Sequence, residues 1–144
     1  MGNQLEGIPR SLVADDDRER AETLAVVLRQ LGCDVRVVYS GPDAVAMAPE
    51  FQPQLVVLDI NMPGMDGYET AIALRRQAWS SGTVYVAHTV SRDALVSETV
   101  KKLGFHHHVP KPGSVTDFAP IVSLLRGRLA TSVDPSANRG TSPA

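Results

Sequence analysis

Leu55-Val56-Val57-Leu58-Asp59-Ile60-Asn61-Met62-Pro63-Gly64-Met65-Asp66-Gly67 decides the fold of this chain. Four consecutive aliphatic residues that stop at turn formers read as a strand buried on both faces, the pattern of a parallel sheet. Asp59 closes the run, and a carboxylate at the carboxyl end of such a strand stands where open α/β sheets place their ligands. Read alone, Asp59 is an aspartate capping a turn before Pro-Gly. Its companions along the chain change that reading.

Working outward, four further apolar runs flank this one: Ser11 to Ala14, Val35 to Tyr39, Thr83 to Ala87 and Phe105 to Val109. Helical spacing follows each. Ala21, Leu24, Ala25, Leu28 and Leu31 share one face, as do Ala44, Met47, Ala48 and Phe51, and later Phe118, Ile121, Val122, Leu125 and Leu129. The third and fourth helices, near 68–78 and 92–103, are less regular, with Ala71, Ile72 and Leu74, then Leu95, Val96, Val100 and Leu103 as their apolar positions. Pro42 suits a first helical turn, Gly32 and Gly104 suit left-handed caps, and Ser114-Val115-Thr116-Asp117 resembles a capping box. Strict alternation of strand and helix predicts a doubly wound α/β sandwich with right-handed crossovers. Pro110 has no N–H for a ladder, which predicts the fifth strand at a sheet edge.

The chain has 144 residues, 43% hydrophobic but only 5% aromatic, with a formal charge of −2. The length predicts one domain, over residues 10–130, with an N-terminal extension at 1–9 and a disordered tail at 131–144 that lacks any apolar period. The charge gives no basic footprint, so no nucleic-acid partner is expected. Cys33 is the single cysteine, so no internal disulfide forms. No apolar stretch approaches the ~20 residues that span a bilayer, and residues 1–9 lack the form of a signal peptide. No membrane contact and a cytoplasmic location are expected.

In a doubly wound sheet the carboxyl ends of the strands share one rim. Strand one delivers Asp15-Asp16-Asp17 there, strand three Asp59, strand four Thr89 and strand five Lys111. Crowded carboxylates repel, so one takes up a proton or a cation is bound. Oxygen ligands suit Mg²⁺, which keeps several waters. Aspartate is also a competent nucleophile toward phosphorus, and the loose transition state of phosphoryl transfer needs cations around its oxygens. Taken singly, an acidic triplet is a solvated helix N-terminus, a threonine at a strand end is a cap, and Lys111-Pro112 is a turn. Their combination at these spacings is far rarer than any member.

These residues resemble the receiver domain of bacterial two-component response regulators, over about residues 10 to 130. Asp15 and Asp16 match the acidic pair, Asp59 the phosphoacceptor, and Met62 to Gly67 the loop after it. Thr89 falls 30 residues after Asp59 and Lys111 falls 22 after Thr89, the family's offsets. The resemblance implies a (βα)5 flavodoxin-like fold with strand order 2-1-3-4-5. It implies Mg²⁺ held by Asp16, Asp59 and the backbone carbonyl of Asn61, with Asp15 ordering its waters. It also implies a cis peptide before Pro112, and Thr89 with His108 as the switch pair. The partners implied are a sensor histidine kinase or histidine phosphotransfer protein and a downstream protein target. The chain departs from the family pattern at Val90, where a small residue is usual, at His108, where Tyr or Phe is usual, and at Pro110 before the lysine. After the fifth helix only the tail remains, too short for a helix-turn-helix unit, so a stand-alone receiver or one cut from a hybrid kinase is expected.

Two other classes compete. A phosphatase with an aspartyl-phosphate intermediate carries a second Asp two residues after the nucleophile, and here that position is Asn61, which cannot act as a general acid. A pseudo-receiver keeps the fold without phosphorylation, but would lack one of the residues matched above. His106-His107-His108 invites a metal reading, yet strand alternation sets His107 opposite the other two, so the three cannot share one ion. Trp79 reads as a packing residue at a helix end.

Overall fold

The computed structural model describes residues 7–91 and 93–133. Along these, β1 (Arg10–Ala14), α1 (Arg18–Gln30), β2 (Asp34–Val38), α2 (Gly41–Phe51), β3 (Leu55–Asp59), α3 (Gly67–Arg75), β4 (Val84–Thr89), α4 (Ala94–Lys102), β5 (His107–Pro110) and α5 (Val115–Val133) follow one another. All strand pairs are parallel, and the sheet runs β2-β1-β3-β4-β5, with β5 at one edge as its proline predicts. The flavodoxin-like order expected from the resemblance is the observed one.

Residue alternation along the strands divides the core into two layers. Leu12, Ala14, Val56, Leu58, Tyr85 and Ala87 face α2, α3 and α4 through Ala44, Ala48, Phe51, Ala71, Leu74 and Val100. Val13, Leu55, Val57, Val84, Val86 and Val109 face α1 and α5 through Ala21, Leu24, Leu28, Phe118, Val122 and Leu125. Every residue of β3 is buried, which is why that run shows no polar alternation. With few aromatics, the sheet is packed by Val, Leu and Ala, whose small volumes let the helices lie close to it.

Helix starts follow local chemistry. Asp17 accepts from the Arg20 N–H to cap α1, Ser40 from Asp43 to cap α2, and Asp93 from Leu95 to cap α4. Asp66 and Glu69 satisfy each other's backbone N–H groups at 2.9 Å, a complete capping box. Ser114 and Asp117 do the same before α5, as the spacing predicts. Gly32 (φ 93°) and Gly104 (φ 96°) take the left-handed conformation expected after α1 and α4.

Some boundaries differ from the sequence reading. The third helix stops at Arg75, and a 3-10 turn, Ala78–Gly82, carries Trp79 against the core. Ile72, Leu95 and Leu103 are exposed rather than core-facing, since these two short helices bury a narrower stripe than their composition suggests. The fourth helix starts at Ala94. The fifth strand starts at His107, because the Phe105 N–H still bonds to the Val100 carbonyl as part of the preceding helix end. The fifth helix runs to Val133, so residues 131–133, read as tail, continue it. Residues 1–6 of the expected extension and 134–144 of the expected tail lie outside the described residues.

The end of β3 is held by α3. The Gly67 N–H donates to the Ile60 carbonyl at 3.0 Å, and a Cβ on Gly67 would lie 2.4 Å from the Asp59 carbonyl oxygen and 2.8 Å from the Ile60 Cα. Backbone cannot yield as a flexible side chain can. Gly67→Ala is expected to destabilise the protein by about 1–3 kcal/mol in chemical denaturation, the usual cost of overpacking; unchanged stability would show that α3 is free to shift away from the strand.

Candidate functional site

Register builds the site. Ala14 pairs with Leu58 across β1 and β3, so Asp15 and Asp59 emerge side by side from neighbouring strands, where the strand order reverses direction. Asp59 pairs with His88 on β4, and Thr89 pairs with Pro110 on β5. The next residue, Lys111, donates its backbone N–H to the Thr89 carbonyl at 2.7 Å. The Lys111-Pro112 peptide is cis.

Asp15, Asp59 and Thr89 are buried, while Asp16 is exposed at the rim. Carboxylate oxygens of Asp15, Asp16 and Asp59 all lie within 4.8 Å of one another. Into this group comes Lys111, whose Nζ is 2.9 Å from Asp15 Oδ2 and 3.2 Å from Asp59 Oδ1. The Asp17 N–H donates to Asp15 Oδ1 at 2.9 Å and the Asn61 N–H to Asp59 Oδ1 at 3.2 Å, so each buried carboxylate is also oriented by its own loop. The loop after Asp59 is shaped by Gly64 at φ 77° and anchored by buried Met62.

One ammonium does not neutralise three carboxylates. Burial pushes the Asp59 carboxyl from 3.8 up to about 7, reinforced by the Asp15 charge and opposed by Lys111. Both responses expected of crowded carboxylates are therefore present: a cation is recruited, and one acid holds its proton unusually long. The all-oxygen donor set, with excess negative charge at an open rim, fits a hard divalent cation such as Mg²⁺.

Asp15, Asp16, Asp59, Asn61, Thr89 and Lys111 thus meet at one edge. His108 lies on β5 opposite Ala87, outside the acidic cluster; its Nε2 is buried with no hydrogen-bond partner. The chain's departure at Val90 is exposed on the loop after β4. Asp17, part of the acidic triplet in sequence, is the α1 cap and is not one of the three clustered carboxylates. The three consecutive histidines form no shared metal site among the described residues. Sequence reading passed over His88, buried between Ala87 and Thr89; its signal was a lone ionisable residue closing an apolar strand.

The sequence model of the family described as "Response regulator receiver domain" matches residues 11–123. The DNA-binding response regulator MtrA of Mycolicibacterium smegmatis is 35% identical over 130 residues, 89% of this chain and 54% of that protein. Ethylene receptor 2 of Arabidopsis thaliana is 38% identical over 114 residues, 75% of this chain and 14% of that protein. The chain thus spans about half the length of the mycobacterial relatives it matches. Among solved structures, the Francisella response regulator 1452 receiver domain superposes with a TM-score of 0.73 at 26% identity, covering 83% of this chain and 98% of that one. A receiver domain from Methylobacillus flagellatus shares the fold with a TM-score of 0.74 at 24% identity, covering 82% of this chain and 98% of that one.

Between the unfolded value of the Asp59 carboxyl near 3.8 and its folded value near 7, the folded protein holds a proton that the unfolded chain releases. This group's contribution to stability therefore falls as pH rises through that window. In EDTA, Asp59→Asn is expected to melt at the wild-type temperature near pH 4 and to be more stable by about 1–4 kcal/mol at pH 8. Thermal denaturation of both proteins across this range checks it; a constant gap between them would contradict the assignment.

Proposed function

The chain belongs to the response regulator receiver domain family, the phosphoacceptor module of two-component signalling, and we propose that Asp59 is the residue that accepts the phosphoryl group. The observation that carries this is the cluster itself: three carboxylates within 4.8 Å of one another, with the Lys111 ammonium 3.2 Å from Asp59. An Asp59 oxygen attacks phosphorus of a phosphohistidine, the P–N bond breaks, the imidazole takes a proton as it leaves, and an acyl phosphate forms. Asp16, Asp59 and the Asn61 carbonyl would hold Mg²⁺, with Asp15 ordering its waters. Bound there, the ion would offset negative charge on the phosphoryl oxygens. Lys111 would exchange part of its contact with Asp59 for a phosphoryl oxygen, and the Thr89 hydroxyl would donate to another. The receiver is a signalling module that in this reading catalyses its own phosphorylation.

Thr89 moves toward the phosphoryl group and His108 follows it inward, and the unpartnered Nε2 of His108 supports this, since a buried polar atom without a hydrogen bond gains by moving to one. The partners are a histidine kinase or histidine phosphotransfer protein as donor and a protein target as receiver of the signal, and the location is cytoplasmic. No described helix is long and apolar enough to cross a membrane. DNA binding, in the name of the mycobacterial relatives, is said of those whole proteins. The domain proposed spans residues 10–130. A phosphatase reading is not supported: exposed Asn61 offers no acid two residues after the nucleophile.

Acetyl phosphate with Mg²⁺ is expected to add one phosphoryl group, seen by intact mass, and to add none to Asp59→Asn, to Asp16→Ala or in excess EDTA. A phosphorylated Asp59→Asn protein would remove the assignment. Lys111→Ala is expected to bind Mg²⁺ at least as tightly as wild type, because a competing positive charge leaves the carboxylates, while losing the conformational response to beryllofluoride; a normal response by NMR would remove its role. His108→Phe is expected to leave the phosphorylation rate unchanged and to alter only the gain in partner affinity on phosphorylation.

A further inference from the structure

His88 is a buried imidazole that the chemistry above leaves without a task. It is paired with Asp59 in the β3–β4 register and directly precedes Thr89. Its Nδ1 lies 2.8 Å from the Val109 carbonyl oxygen. A carbonyl only accepts, so Nδ1 carries the proton and donates, and Nε2 is left as the bare nitrogen. The ring meets Phe118 edge-on, with centroids 5.9 Å apart. On another side Gly113 passes so close, at φ 60°, that a Cβ there would lie 2.8 Å from the His88 Cε1 and 2.9 Å from Phe118.

Val109 is two residues before Lys111 and Gly113 is two after it. One side chain therefore touches both ends of the turn that carries the ammonium. The position has reason to need such a clamp: β5 is an edge strand, only four residues long, and Pro110 brings no N–H to the ladder beside Thr89. His88 also lines a cavity of about 360 Å³ together with Lys111, Pro112, Asp17 and Arg20, so the turn has space to move into if it is not held.

We infer that His88 is a positioning residue for Lys111, its Nδ1–H on Val109 fixing the turn so that the ammonium reaches the Asp59 edge of the acidic cluster, while Phe118 and Gly113 seat the ring. The inference rests on the reading of Lys111 as the cation that meets the phosphoryl group. Burial keeps the imidazole in its neutral form, assisted by the nearby Lys111 charge and opposed by the bond to Val109.

The test separates the N–H from the ring's bulk. His88→Phe keeps an aromatic ring against Gly113 and Phe118 but has no donor for Val109. His88→Asn loses the ring but keeps a side-chain N–H near the position of Nδ1. With Mg²⁺ saturating, beryllofluoride affinity of His88→Phe is expected to fall about tenfold, the size of one lost hydrogen bond to a buried carbonyl, and that of His88→Asn to stay within about threefold of wild type. Wild-type affinity in His88→Phe, or an equal loss in both variants, would overturn the inference. Should either variant fold poorly, the ¹⁵N spectrum of the wild-type ring decides: a protonated Nδ1 with a bare Nε2 is expected, and the opposite tautomer overturns the clamp. Wild-type protein that takes up neither beryllofluoride nor a phosphoryl group would instead overturn the receiver chemistry, and the role of His88 with it.

Discussion

The ammonium of Lys111, held between Asp15 and Asp59, is the interaction on which the rest of this structure turns. All three side chains are at most 6% exposed. Removing Lys111 would leave two buried carboxylates without a counter-charge in a poorly solvating interior, at a cost of about 3–5 kcal/mol. Yet the arrangement is also unbalanced, because one positive charge faces two buried carboxylates and a third at the rim. Burial, reinforced by the Asp15 charge, raises the Asp59 carboxyl to about 7, and the imbalance favours a further cation at the rim. A site with excess negative charge on oxygen donors is suited to holding a divalent cation beside Asp59.

Bringing these charges together is the work of the sheet. Parallel pairing of β1 with β3 sets the two aspartates side by side, and the β3–β4–β5 register carries Thr89 and Lys111 to the same edge. The loops fine-tune: Asp17 and Asn61 backbone N–H groups orient the two buried carboxylates, and Gly67 lets α3 sit directly on the Asp59 carbonyl. The weak element is the short edge strand β5, which makes a contact such as that of His88 with Val109 matter more there than it would in β3, where partners flank both sides.

Much of this was legible in the residues. The fully apolar Leu55–Leu58 run, the Pro110 edge signal and the caps at Gly32, Gly104 and Ser114 are all seen in the structure, since each depends on a local property: periodicity, a missing N–H, a left-handed φ, or a side chain bonding its own helix start. The acidic residues, the threonine and the lysine were readable because their spacing along alternating strands is itself a geometric statement. Boundaries were less legible where two local preferences compete, as at Phe105, which is apolar enough for a strand but whose N–H closes the end of α4. Ile72 and Leu95 were misplaced because apolar character alone does not say which face of a short helix meets the sheet.

By itself, the sequence determined the order and type of the elements, the parallel sheet, and the set of residues that gather at its carboxyl edge. These follow from hydrophobic period and chain direction, which are properties of neighbours along the chain. Only the tertiary structure decided how charge is shared among those residues. It showed that Lys111 bridges two aspartates, that Asp17 belongs to a helix cap rather than to the cluster, and that His88 lies within reach of Val109. Such assignments depend on distances of about 3 Å between residues far apart in sequence and on how much water each group loses, and neither is set until the sheet and its helices have packed.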